Sequence, residues 1–233
     1  RHHSVRALIV VAVVFAVVNA AGLAYGVWHG FIDLDVYRAG ARTFIYVSAA
    51  GIIMDDRGSP VRGADESAPV QPRSFSPYLA SKAQAEAAVL AANRAGFRTL
   101  ALRPPAIWGP GDMWSRELPK AIAAHQFGFI DRGDYAYSTC HVDNLIEAIA
   151  CSLDRGEGGR AYFVNDSETQ TFRDLIRMVA GASGLSIDRL PSMPYGVAFL
   201  AGRVFEAAWS LMRRPGDPPL SRAASPVRSR IVP

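Results

Sequence analysis

Lysine is almost missing from this 233-residue chain: of its 25 basic residues only Lys82 and Lys120 are lysines, so nearly every positive charge is an arginine. Cysteine is as scarce. Cys140 and Cys151 make no disulfide framework and lack the spacing of a zinc site, and the five histidines form no His-Glu-x-x-His pattern. No metal is therefore expected, and a reducing, cytoplasmic compartment follows. No basic run is interleaved with aromatics, so a net charge of +4 and a pI near 9.3 do not make a nucleic-acid footprint. No internal repeat is present either. What remains is globular composition, 50% hydrophobic and 20% charged, long enough to bury a full core in a single domain.

Residues 7–24, "ALIVVAVVFAVVNAAGLA", carry no charge at all. Length suits a membrane span or a signal peptide, while the Val, Ile and Ala content suits a strand buried on both faces, and the residues alone leave these readings open. Farther on the pattern sharpens. Thr43–Val47 reads as a central strand, 55–77 as a polar surface loop rich in Pro, Gly and Ser, and a helix begins near Pro77 and stops by Gly96. Thr99–Leu102 is another buried strand, which completes a βαβ unit of a parallel sheet. "HVDNLIEAIACSL" places Val142, Leu145, Ile146, Ile149 and Leu153 at helical spacing, and "RAYFVND" is one more strand. A further helix has Thr171 as its N-cap with Asp174 three residues on. Residues 195–214 form an apolar helix ending in two arginines, and the tail from 215 is irregular.

One of the two lysines sits in "SPYLASK", four residues after Tyr78. On a helix those positions share a face, so phenol and ammonium point into one site. To work as an acid or base near neutrality a tyrosine must be lowered by about 3 pH units, roughly 4 kcal/mol, and an adjacent cation supplies much of that. Lysine also offers three rotatable donors, suited to ribose hydroxyls as well as to the phenol.

The run "FIYVSAAGII", "DESAP", "SPYLASKAQAE", "LALRPPAIWGPGD", "CHVDNLIEAI" and "GGRAYFVND" resembles the extended short-chain dehydrogenase/reductases, the NAD-dependent epimerase/dehydratase and 3β-hydroxysteroid dehydrogenase-like group, over about residues 14–222. The resemblance implies an α/β, Rossmann-like parallel sheet, N-terminally incomplete, with a small C-terminal substrate-binding lobe to which about 106–140 and 165–222 contribute within one domain, 1–233. It implies Ser48, Tyr78 and Lys82 as catalytic residues. Asn19, Ala20, Ala21, Gly22, Tyr78, Lys82, Arg103, Pro104 and Pro105 would lie along NAD or NADP, and residues 7–24 would hold a strand. The implied chemistry is oxidoreduction or epimerisation at a hydroxyl or carbonyl of a sugar nucleotide or steroid-like molecule.

The sequence also departs from that group. The Gly-x-x-Gly-x-x-Gly that lets backbone amides approach a pyrophosphate is not found, nor is the acidic residue for the adenosine ribose. Many members carry a hydroxyl pair where this chain has Ser48-Ala49. Trp28, Trp108 and Trp114 either bound an apolar pocket or fill the core; His141 is expected to order its loop and Cys140 to be buried. Rival classes are a catalytically inactive binding protein and a membrane-associated protein using residues 7–24 or 195–212. A homodimer is left open.

Overall fold

The computed structural model describes residues 36–38, 40–55, 61, 63–74, 76–168 and 170–211, with side chains through residue 204. The expectations for residues 7–24, which include Asn19, Ala20, Ala21 and Gly22, for Trp28 and for the tail from 215 lie outside the described residues. The chain divides into two compact units. Among the described residues, one takes those between 36 and 55, 65–107 and 140–165, the other those between 61 and 64, 108–139 and those between 166 and 211.

In the first unit, strands β1 (Thr43–Val47), β2 (Arg98–Arg103) and β7 (Ala161–Phe163) form a parallel sheet in the order β1-β2-β7, with Tyr46 opposite Ala101 and Leu102 opposite Tyr162. Strand side chains alternate between faces, and here each face meets a helix. Phe44, Tyr46 and Ala101 pack on Ala85, Ala88 and Val89 of α1 (Pro77–Ala91). Ile45, Val47, Leu100 and Leu102 pack on Leu145 and Ile149 of α3 (Val142–Arg155). Cover on both faces explains why β2 is buried from Thr99 through Arg103 and reads as a continuous run. Each fully buried Leu or Val contributes about 1.5–3 kcal/mol.

Local signals set the helix ends. Ser76 caps α1 by accepting from the Leu79 amide at 3.4 Å, and Pro77 occupies the first turn, where its missing N–H costs nothing. After the helix the chain reverses through Arg94–Phe97, where Gly96 takes a φ of +78°. His141 caps α3, its Nδ1 accepting from the Asp143 amide at 3.3 Å. Arg98 at the foot of β2 donates to the carbonyl oxygens of Leu153 and Gly156, which close the end of α3. Ile146 is exposed, because Leu145 and Ile149 set the buried direction and one helical step turns its neighbour about 100° away.

The chain leaves the first unit through β3 (Ala106–Trp108) and re-enters it through β6 (Thr139–His141). The second unit contains α2 (Met113–Ala123), a parallel pair β4 (Phe129–Ile130) and β9 (Ser192–Met193), and an antiparallel pair β5 (Ala136–Tyr137) and β8 (Gln170–Thr171). Helices α4 (Phe172–Ala182) and α5 (Tyr195–Leu211) complete it. Its core joins Leu118 and Ile122 of α2 to Leu175, Ile176 and Val179 of α4, with Phe129, Tyr135 and Phe172 beside them. The Thr171/Asp174 capping box is present, with both of its hydrogen bonds made. Trp114 meets the edge of Phe172 at 6.3 Å, and the Trp108 indole N–H donates to Asp166 at 2.7 Å, so both are structural.

Candidate active site

Tyr78, Lys82 and Glu86 stand at successive four-residue steps on α1, hence on one face of it. The middle residue ties helix to sheet. Lys82 Nζ donates to the carbonyl oxygen of Val47, the last residue of β1, at 2.8 Å, and lies 5.1 Å from the Tyr46 ring centre and 5.9 Å from that of Tyr78. The pair expected from the sequence is therefore brought together, through cation to ring-face contacts. Tyr78 keeps 56% of its surface exposed and so is reachable from outside.

Burial pushes the Tyr78 phenol up and the Lys82 ammonium down from their ordinary values. Tyr46 is pushed far above its usual range, first by burial and then by Tyr78 and Glu86. This reverses the direction expected for Tyr78. The Lys82 charge is spent on the Val47 carbonyl and is itself partly withdrawn from water, so it does not offset the desolvation of the phenol. The chain alone holds a protonated Tyr78 at neutral pH.

Ser48 follows β1 directly. Its amide donates to Leu102 O at 2.7 Å, and Ala50 N donates to Pro104 O at 2.8 Å, which stitches residues 48–50 to 102–104 across the strand ends. Its side chain is 3% exposed, and Ser48 Oγ has no hydrogen-bond partner. A buried hydroxyl without a partner is costly, about 1–3 kcal/mol, and calls for a ligand atom to complete it. The carboxyl ends of parallel strands are where such ligands bind in open α/β sheets. A second oxygen of this kind, Asn165 Oδ1, stands two residues past the end of β7.

Arg103 was expected beside the cofactor. Its guanidinium turns inward, with Nη2 at 2.6 Å and Nε at 3.1 Å from Glu86, and Nη1 donates to Glu66 O at 3.4 Å. Both ends of the pair are almost wholly buried. Glu66 in turn accepts from the Phe163 amide at 2.9 Å, so one network joins α1, β2 and β7 beneath the strand ends. Glu86 escaped the sequence reading, although its position four residues beyond Lys82 was the signal that could have found it. The fit to a nicotinamide is thus partial: an orphaned hydroxyl, an exposed phenol and an amine with two further protons to donate suit the nicotinamide ribose end, while the described residues offer no glycine-rich cradle for a pyrophosphate.

Known proteins share this arrangement of sequence and fold. The chain is 34% identical over 189 residues to the 4-hydroxy-2-methyl-3-oxo-4-farnesyl-3,4-dihydroquinoline-1-oxide ketoreductase of Stigmatella aurantiaca, covering 81% of this chain and 56% of that one. It is 34% identical over 175 residues to a 2-alkyl-3-oxoalkanoate reductase of Stenotrophomonas maltophilia, covering 69% and 50%. The chain thus spans about half the length of these relatives. Among solved structures, a dTDP-glucose 4,6-dehydratase from Streptomyces venezuelae with NAD bound superposes with a TM-score of 0.54 at 20% identity, covering 73% of this chain and 52% of that one, a likeness of fold. Residues 34–194 match the model of the 3-beta hydroxysteroid dehydrogenase/isomerase family, and the chain belongs to that family.

Proposed function

We propose that this chain carries the catalytic part of an NAD(P)-dependent oxidoreductase that interconverts a ketone and a secondary alcohol on an apolar scaffold. The observation that carries the reading is the buried, partnerless Ser48 hydroxyl at the strand end to which Lys82 is anchored. Ser48 Oγ donates to the carbonyl oxygen of the substrate and polarises it. Tyr78, protonated at rest, delivers its proton to that oxygen as the carbonyl carbon is reduced, and recovers it from water afterwards. A nicotinamide held there would supply the hydride. Lys82 keeps two N–H groups free of Val47 for the ribose hydroxyls, and residues 103–105 line the same end of the sheet.

An apolar substrate is supported by the relatives at 34% identity, whose names specify a farnesylated quinoline and an alkylated oxoalkanoate. The sugar-nucleotide enzymes resemble this chain in fold alone. The second unit, with its own aromatic core, is the substrate lobe in this reading.

The test is a fluorescence titration of the chain with NADH and NADPH, followed by turnover of 2-alkyl-3-keto acids and 3-ketosteroids. Saturable binding is expected, with turnover abolished in Tyr78→Phe while cofactor affinity is kept. A second reading is a non-catalytic binding protein. Absence of binding at millimolar cofactor decides for it.

A further inference from the structure

A cleft of about 580 Å³ opens at the amino ends of β1 and β2, at the opposite end of the strands from Ser48. Three arginines from three stretches of chain line it: Arg42 just before β1, Arg94 in the turn after α1, and Arg98 at the start of β2. No acid is among the described residues of its wall. A strand rises about 3.3 Å per residue, so the length of β1 puts roughly 16 Å between this cleft and Ser48. The two places cannot share a small ligand.

The guanidinium groups of Arg42 and Arg98 are bonded only to neutral acceptors. Arg42 Nη1 donates to Ala41 O at 3.1 Å, and Arg98 donates to the carbonyl oxygens of Gly156 and Leu153 and to Thr43 Oγ1 at 3.4 Å. Among the described residues neither charge meets a carboxylate. A guanidinium has five N–H groups, so both keep donors beyond these bonds. They are also held in place. Arg42 lies 5.4 Å and Arg94 4.4 Å from the centre of the Tyr37 ring, which orients both cations, and the bonds of Arg98 fix it to the end of α3. Asn93 spends its side-chain oxygen on the Thr99 amide at 3.2 Å, which leaves its NH2 group as a further donor at the wall. Gly158 completes that wall, and a Cβ there would collide with the Asn93 amide oxygen, so the close approach requires glycine.

A cleft walled by fixed donors and cations takes a multivalent anion, and the guanidinium fork matches phosphate oxygens two at a time. The volume falls within the range of about 300–1,000 Å³ typical of small-molecule sites, and its cations come from separate strands, which suits two linked phosphate groups, each meeting one guanidinium. We propose that this cleft binds a diphosphate group through Arg42, Arg98 and Asn93, with Arg94 beside them. The proposal stands apart from the redox reading, because its residues lie at the other end of the sheet and it is scored by binding.

The test is calorimetric titration of the full chain with inorganic pyrophosphate, phosphate and citrate at low ionic strength, since salt screens exposed charges. Saturable binding of pyrophosphate is expected, at least about tenfold tighter than phosphate or citrate, and Arg42→Gln, at an exposed position, should weaken it about tenfold. Hydrogen exchange with pyrophosphate bound should slow in 93–98. A titration with ADP separates the sources of the group: tighter binding than pyrophosphate with the same protection assigns it to a nucleotide, and equal or weaker binding assigns it to the free anion, the site standing in both cases. Citrate binding as tightly as pyrophosphate reduces the cleft to an undirected basic patch and overturns the proposal. So does binding unchanged in Arg42→Gln, or the absence of saturable heat at millimolar pyrophosphate. Protection that falls on 78–82 instead places the anion at the end of the sheet assigned to the cofactor, which overturns this site and leaves the redox reading in place.

Discussion

Ser48 separates stability from chemistry at the level of one atom. Its hydroxyl is buried without a partner, so Ser48→Ala removes an unpaid desolvation along with a hydrogen-bond donor. Stability in urea is expected to stay level or rise by about 1 kcal/mol, while turnover falls about 10²–10³-fold, the usual cost of a lost donor to a developing oxyanion. A loss of stability with turnover intact refutes the role. Tyr78 offers a second check at this scale. Burial raises its pKa, so in the cofactor-free chain the phenolate forms only on the alkaline side of the ordinary value of 10.0. Ultraviolet titration of wild type against Tyr78→Phe reads this directly. A phenol that ionises below 10.0 would put Lys82, not burial, in control.

The network of Arg103, Glu86 and Glu66 belongs to the scale of elements, because it holds α1 against β2 and β7. Removing one partner of a buried ion pair leaves a stranded charge and costs about 3–5 kcal/mol, so Arg103→Met is expected to lower the urea midpoint sharply. The double variant Arg103→Met/Glu86→Leu should recover most of that loss in a double-mutant cycle, and no recovery would mean that the two side chains act separately. The same elements show what the sequence made legible. Strand β1, helix α1 and strand β2 each carry one clean period or run with a cap or stop at its end, and the capping box at Thr171 is a purely local signal. Helix α2 carries no clear signal in the sequence, since Pro119 sits inside it and reads as a breaker, although Asp112 caps it by accepting from the Ser115 amide at 2.6 Å. The two-residue strands β4, β5, β8 and β9 are shorter than any period, and only their pairing partners reveal them. At the site, Tyr78 and Lys82 were legible because helix geometry alone joins them. The inward turn of Arg103 was not, since it depends on a glutamate one element away.

At the scale of the molecule, two units with separate cores predict separable responses to ligand. The groups assigned to substrate and cofactor, Ser48, Tyr78 and Lys82, all belong to the first unit, while Leu175, Ile176 and Phe129 anchor the core of the second. A ligand that binds the native state stabilises by mass action, about 2.7 kcal/mol at a hundred times its dissociation constant, and it does so where its contacts suppress opening. Hydrogen exchange with saturating NADPH is therefore expected to slow in 44–50, 78–89 and 98–103, with 172–180 unchanged. Protection by NADPH confined to 172–180 would place the cofactor on the wrong unit and remove the basis for Ser48 and Tyr78 as a catalytic pair, whereas protection in the first unit that persists in Tyr78→Phe would show that holding the cofactor and moving the proton are divided between different residues of α1.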